Sequence, residues 1–170
     1  MAHLPELDIK GILEVLTAHG VDFVVIGGVA AILHGSATLT QDVDVCFATD
    51  DANIEALGGA LRELNANLRG VEDDVAFVPD ARTLRQIRLL TLQTSAGPLD
   101  VLVKPDGCPP YDRLRRRADR MDVGGFAVLV ASIDDLIAMK RAAGRDKDLL
   151  AVEELNAIRD LRSRGIGPSN

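Results

Sequence analysis

The stretch Asp22–Phe47, DFVVIGGVAAILHGSATLTQDVDVCF, decides how the rest of the chain reads. Four of the five residues from Asp22 to Ile26 are Phe, Val or Ile, the pattern of a buried strand. Gly27–Gly28 breaks it, and Val29 to His34 reads as a short helix ending at Gly35. Val43 to Phe47 is a second strand. Extended backbone sends successive side chains to opposite faces, so Asp42 and Asp44 share one side and Val43 and Val45 the other. The valines account for burial. The carboxylates do not, because like charges on one face raise each other's cost. A divalent cation removes that cost, and Mg²⁺ suits it: it prefers carboxylate oxygens and recruits phosphates to complete its shell.

Outward from this stretch, Ile9, Ile12, Leu13 and Leu16 recur at helical spacing, with Gly20 closing the segment. After the second strand, a helix from about Asp51 carries Ile54, Leu57, Leu61 and Leu64 as its apolar stripe. Val75 to Val78 reads as a strand. Gln86 to Thr94 and Leu99 to Val103 flank Ser95–Ala96–Gly97–Pro98 and form an antiparallel hairpin. A helix runs from Pro110 to Arg120, with proline tolerated in its first turn. A last strand covers Phe126 to Val130. Ser132 and Asp135 read as a capping box that opens the helix Ile133 to Ala143, and Gly144 ends it. The final helix starts near Lys147 and turns Leu150, Leu155, Ile158 and Leu161 inward. The expected class is α/β (α+β), with a short mixed sheet, helices on one side, and C-terminal helices closing a cleft. It forms a single domain over 1–170, with a sheet core at 1–108 and a mostly helical wall at 109–170.

Composition narrows the function. Hydrophobic residues make up 47% and aromatic residues only 3%, so the core is built from Val, Leu, Ile and Ala. No run of 18 apolar residues is present, the first residues show no basic region followed by an apolar run, and Cys46 and Cys108 have no motif spacing. These features point to a cytoplasmic chain with reduced thiols and no membrane partner. The net charge is −7, but it is unevenly spread. Residues 1–100 carry 6 basic against 15 acidic residues, and residues 101–170 carry 13 against 11. The acidic part suits a metal site and the remainder suits phosphate contacts.

A third carboxylate, Asp100, opens the apolar strand that follows the hairpin. Three carboxylates converging from two strands match a two-metal phosphoryl-transfer site, in which two hold the cations and the third takes a proton from the incoming hydroxyl. Gly27–Gly28, between strand and helix, leaves backbone N–H groups free to approach phosphate oxygens. The constellation Gly27–Gly28, Thr40-x-Asp42-x-Asp44 and Asp100 resembles the nucleotidyltransferase superfamily with the DNA polymerase β-like fold. With His34–Gly35, Ala131–Ser132–Ile133–Asp134–Asp135–Leu136, Lys140, Arg145, Lys147 and Asp148, it is similar to the AbiEii/MenT-type toxin group over roughly residues 9 to 161. That resemblance implies Asp42 and Asp44 as metal ligands for Mg²⁺ or Mn²⁺, Thr40 as a nucleotide contact and Lys140 as a phosphate contact. It also implies an NTP substrate, an RNA acceptor such as the 3′ end of tRNA, and a partner antitoxin. The chain departs from the group at Thr38, where relatives often carry a basic residue.

Lys140 stands out on its own terms, since it continues the apolar stripe Ile133, Leu136, Ile137 of its helix. A lysine there must snorkel, find an anion or shift its pKa, and a metal-bound triphosphate would supply the anion. Asp148 is placed to orient Lys140 or Lys147, and Arg145 to bind phosphate. Arg113, Arg116, Arg117 and Arg120 fall on one helical face and suit an RNA backbone. With one Tyr and no Trp, stacking of unpaired bases is disfavoured. The expected reaction is transfer of an NMP from an NTP to an acceptor hydroxyl. The alternatives are adenylylation of a protein or of a small molecule such as an aminoglycoside, and a nucleotide-binding or antitoxin module without turnover.

Overall fold

The computed structural model describes residues 5–71 and 76–167. In chain order the elements are α1 (Ile9–Ala18), β1 (Phe23–Ile26), α2 (Gly27–Leu33), β2 (Val43–Phe47), α3 (Asp51–Glu63), β3 (Asn67–Leu68), α4 (Ala81–Leu84), β4 (Leu89–Thr94), β5 (Gly97–Leu102), α5 (Tyr111–Arg117), β6 (Asp119–Asp122), β7 (Ala127–Val130), α6 (Ile133–Ala143) and α7 (Asp146–Ser163). The strands form one mixed sheet in the order β3-β4-β5-β2-β1-β7-β6.

Register divides this sheet into an apolar and a chemical face. Val45 sits opposite Val25 on β1 and beside Val101 on β5, and Leu99 lies between Val43 and Leu92. All of these are buried and join the stripes Ile12, Leu13, Leu16 of α1 and Ile54, Leu57, Leu61 of α3 in one core. Burying each such side chain contributes about 1.5–3 kcal/mol. The alternate positions, Ile26, Asp44 and Asp100, fall on the other face by the two-residue period of the strand. The apolar face stabilises the sheet and thereby holds the acidic one in position.

Side chains tie the helices to the strands. Asp8, Asp50, Asp80 and Ser132 cap the N-termini of α1, α3, α4 and α6. The Ser132 hydroxyl accepts from the Asp135 backbone N–H at 3.2 Å. The reciprocal half of that box is missing, because the Asp135 carboxylate pairs with Arg117 at 3.3 Å instead. Buried Asn53 on α3 accepts from the Asp22 amide and donates to the carbonyls of Asp22 and Ala48 at 2.6, 2.9 and 2.7 Å.

Several expectations need correction. The strand proposed for Val75 to Val78 is absent over 76–78, which are irregular, and Val75 lies outside the described residues. The helix expected to reach Arg120 stops at Arg117, and Arg120 belongs to β6, paired with Leu129. The four-arginine face is therefore split between two elements. On α7, Val152 and Leu155 are buried, but Leu150 and Leu161 are 68% and 46% exposed. Leu150 is two residues from Val152 and so points to the opposite side of the helix. Gly27 and Gly28 are the first turn of α2 rather than a loop before it. The short elements β3, α4 and β6 gave no periodic signal.

Replacing Asn53 by Ala should leave three backbone groups without their partner. The expected loss is about 2–3 kcal/mol, readable as a lower urea midpoint with an unchanged m-value.

Candidate active site

The sheet register assembles the site. Across the chemical face, Ile26 on β1 lies opposite Asp44 on β2, Asp44 lies beside Asp100 on β5, and Asp100 lies opposite Thr91 on β4. Asp42, one residue ahead of β2, completes the group: Asp42, Asp44 and Asp100 each offer a carboxylate oxygen, all within 4.8 Å of one another. Burial and the charges of Asp42 and Asp100 push the Asp44 pKa up to about 7. Burial likewise raises Asp100, against the pull of Arg69. A hard divalent cation is the partner that lets such carboxylates ionise together, and three oxygen donors at this spacing suit one. The residues fit Mg²⁺ or Mn²⁺.

The glycines have a steric role at this site. Gly27 has φ +68°, and a Cβ there would fall 2.3 Å from Asp44 Oδ2. A Cβ on Gly28 would lie 2.7 Å from Thr40 Oγ1. Any side chain at either position would push on the acidic strand or on the turn that leads into it. Thr40 donates from Oγ1 to the Asp42 carbonyl at 3.0 Å and so shapes the approach to the first carboxylate. That turn is also anchored from across the molecule. Glu154 on α7 accepts from Ser36 Oγ, the Ala37 amide and Thr38 Oγ1 at 2.7, 2.8 and 3.1 Å.

The facing wall comes from α6, α7 and their junction. Together the two walls enclose a cleft of about 740 Å³ lined by Gly27, Gly28, Thr40, Asp42, Asp44 and Asp100 on one side and Lys140, Arg145, Lys147 and Asp148 on the other. Lys140 is mostly buried, with Nζ 3.7 Å from Asp148 Oδ1, and its charge is near enough to lower the pKa of Asp44. Asp148 accepts from the Arg145 amide, Nε and Nη2 at 3.2, 2.6 and 3.2 Å. These bonds, led by the side-chain pair, hold its pKa below the ordinary value. Asp148 is thus a buried, ionised anchor shared by Lys140 and Arg145.

Gly27, Gly28, Thr40, Asp42, Asp44, Asp100, Lys140, Arg145, Lys147 and Asp148, all named from the sequence, line this one cleft. Sequence reading missed Arg69, whose Nη2 donates to Asp100 Oδ1 at 2.6 Å and lies 4.0 Å from Asp42 Oδ2. No motif marks it, and only the pairing of the two-residue β3 brings it there. Glu154 was missed for a similar reason, since its partners lie more than 110 positions away. Of the arginine cluster, Arg115 pairs with Asp22 and Arg117 with Asp135. Arg113, Arg116 and Arg120 are exposed and line no part of the cleft.

An acidic triad on the sheet face, a glycine turn against it and a lysine on the facing helix are carried on a mixed sheet of the nucleotidyltransferase fold. The chain belongs to the nucleotidyltransferase family of unknown function DUF6036, whose model matches residues 4–162. No curated protein matches it by sequence. Among solved structures it is similar to the lincosamide antibiotic adenylyltransferase LnuA with lincomycin bound, at 14% identity and TM-score 0.61 over 90% of this chain and 99% of that one. It is also similar to ANT(2″)-Ia in complex with adenylyl-2″-tobramycin, at 15% identity and TM-score 0.53 over 92% and 95%. A Thermotoga maritima protein assigned as a nucleotidyltransferase aligns at 16% identity and TM-score 0.51 over 96% and 99%. Among the described residues no helix is long and apolar enough to cross a membrane.

The Asp44 shift carries a stability signature. Its pKa rises from 3.8 unfolded to about 7 folded, so without a cation the folded chain keeps a proton that the unfolded chain has lost. Stability therefore falls as pH rises through that window. In EDTA, the wild-type Tm should drop relative to Asp44→Asn between pH 5 and pH 8. Mg²⁺ at pH 8 should raise the wild-type Tm and leave Asp44→Asn unmoved. Parallel curves for the two proteins would refute the assignment.

Proposed function

We propose that this chain transfers an NMP from an NTP to an acceptor hydroxyl with release of pyrophosphate. The observation that carries the reading is the convergence of Asp42, Asp44 and Asp100 opposite Lys140 across one cleft. Bound Mg²⁺ or Mn²⁺ neutralises charge on the phosphates. Asp42 and Asp44 hold the cation, and Lys140, oriented by Asp148, pairs with a phosphate oxygen. Asp100 accepts the proton of the acceptor hydroxyl as its oxygen bonds to the α-phosphorus and the bond to pyrophosphate breaks. Thr40 keeps the turn beside the nucleotide, Gly27 and Gly28 keep the phosphate side of the cleft open, and Arg145 helps fix Asp148. Phosphoryl transfer depends mainly on positioning and charge neutralisation, which these few groups supply.

For the acceptor, the resemblance to the AbiEii/MenT-type group supports the 3′ end of an RNA such as tRNA, in a toxin held by an antitoxin. The exposed Arg113, Arg116 and Arg120 offer backbone contacts for it. A second reading, adenylylation of a small cationic molecule, draws support from the cleft itself. Its charged lining is mainly carboxylate, Asp106 included, and two similar folds act on or bind antibiotics.

Incubation with Mg²⁺ and each α-labelled NTP, alongside either total tRNA or a panel of aminoglycosides and lincosamides, separates the two. Label on RNA supports the first acceptor and label on a small molecule the second. Nucleotide binding without transfer to any acceptor would instead indicate a module without turnover. Whichever acceptor is used, Asp42→Ala and Asp44→Ala should lower kcat by at least about 10³-fold with circular dichroism unchanged. Lys140→Ala should raise the KM for NTP. Full activity in either aspartate variant would overturn the site.

A further inference from the structure

Arg69 sits at the end of the row that builds the site. Leu68 on β3 pairs with Leu92 on β4, the Arg69 amide donates to the Thr91 carbonyl at 2.9 Å, and Thr91 lies opposite Asp100. The backbone thus delivers the guanidinium to the triad. Its Nη2 is 2.6 Å from Asp100 Oδ1 and 4.0 Å from Asp42 Oδ2, while Asp44 has no ion-pair partner among the described residues. The Asp100 side chain is 14% exposed and that of Arg69 32%, so water weakens this pair only in part.

We propose that Arg69 is the resident counter-ion of the triad, holding Asp100 until a divalent cation displaces it, so that cation entry and Arg69 release are one exchange. The inference rests on the metal-site reading above. A carboxylate oxygen engaged by a guanidinium is a poor ligand for a second positive charge, and both partners seek the same oxygen. Asp42 lies 4.0 Å from the same guanidinium, so a cation seated on the triad meets Arg69 at two of its three carboxylates. Positions that depend on Asp100 fill only when Arg69 leaves. Arg69 is therefore a positioning residue that couples occupancy of the triad to its own release and keeps Asp100 in place when no metal is present.

The test measures Mn²⁺ binding to the full chain without nucleotide, by electron paramagnetic resonance and calorimetry. Arg69→Gln should bind Mn²⁺ about tenfold tighter than wild type, the worth of one charge-assisted hydrogen bond removed from competition. Equal or weaker binding by Arg69→Gln would overturn the proposal. A second measurement needs no variant: the Arg69 side-chain NMR signals should change from a bonded to a freely rotating guanidinium as Mg²⁺ is added. Signals that stay bonded while Mg²⁺ binds would also overturn it. Asp44→Asn separates the two readings. If wild-type Mn²⁺ binding survives that substitution, the metal site itself fails. If binding is lost but Arg69→Gln matches wild type, only the counter-ion role fails.

Discussion

Three carboxylates with oxygens within 4.8 Å of one another repel, and in this protein the sheet holds them together regardless. The parallel pairing of β2 with β5 sets Asp44 beside Asp100, and β1 completes the row with Ile26. On the opposite face, Val43, Val45, Leu99 and Val101 are fully buried, and their burial opposes the splaying of the acidic edge. The strain is electrostatic rather than conformational, and it shows in the Asp44 pKa near 7. A divalent cation would relieve it, and the apolar core holds the three carboxylates where one would bind.

The remaining features adapt to that constraint. Gly27 has no Cβ because one would strike Asp44, and Gly28 has none because of Thr40. The 36–38 segment is pinned by Glu154 from α7, so the helical wall and the acidic wall are mechanically joined. Lys140 faces the acidic group but is steadied by Asp148, which is itself neutralised by Arg145. Lys140 and Arg145 thus share an internal anion that holds them in position without substrate. Arg69 follows the same pattern on Asp100.

Legibility in the sequence followed the range of the interactions. The strand Val43–Phe47 and the helix Ile133–Ala143 were readable to the residue because local alternation and a local cap determine them. That Asp42, Asp44 and Asp100 share one face was readable because residue type and order along two strands imply convergence. Thr40, in contrast, entered through the family resemblance, and Lys140 through that resemblance and the apolar stripe it interrupts. Elements that exist only through partners were not readable. β3 is two residues long and is a strand because β4 pairs with it, and β6 exists through β7. Arg69 and Glu154 owe their importance to pairings between distant segments, and Leu150 misled because a helical stripe two residues out of phase looks apolar in one dimension. The acceptor leaves no such local mark.

The central claim is that the triad and Lys140 form one cation-and-triphosphate site. The most direct measurement is a crystal structure with Mn²⁺ and a non-hydrolysable NTP, using anomalous scattering to locate the metal. The account predicts Mn²⁺ on Asp42 and Asp44, with phosphate oxygens between the metal and Lys140. Nucleotide bound elsewhere, or a triad that takes up no Mn²⁺ at saturating nucleotide, would contradict it.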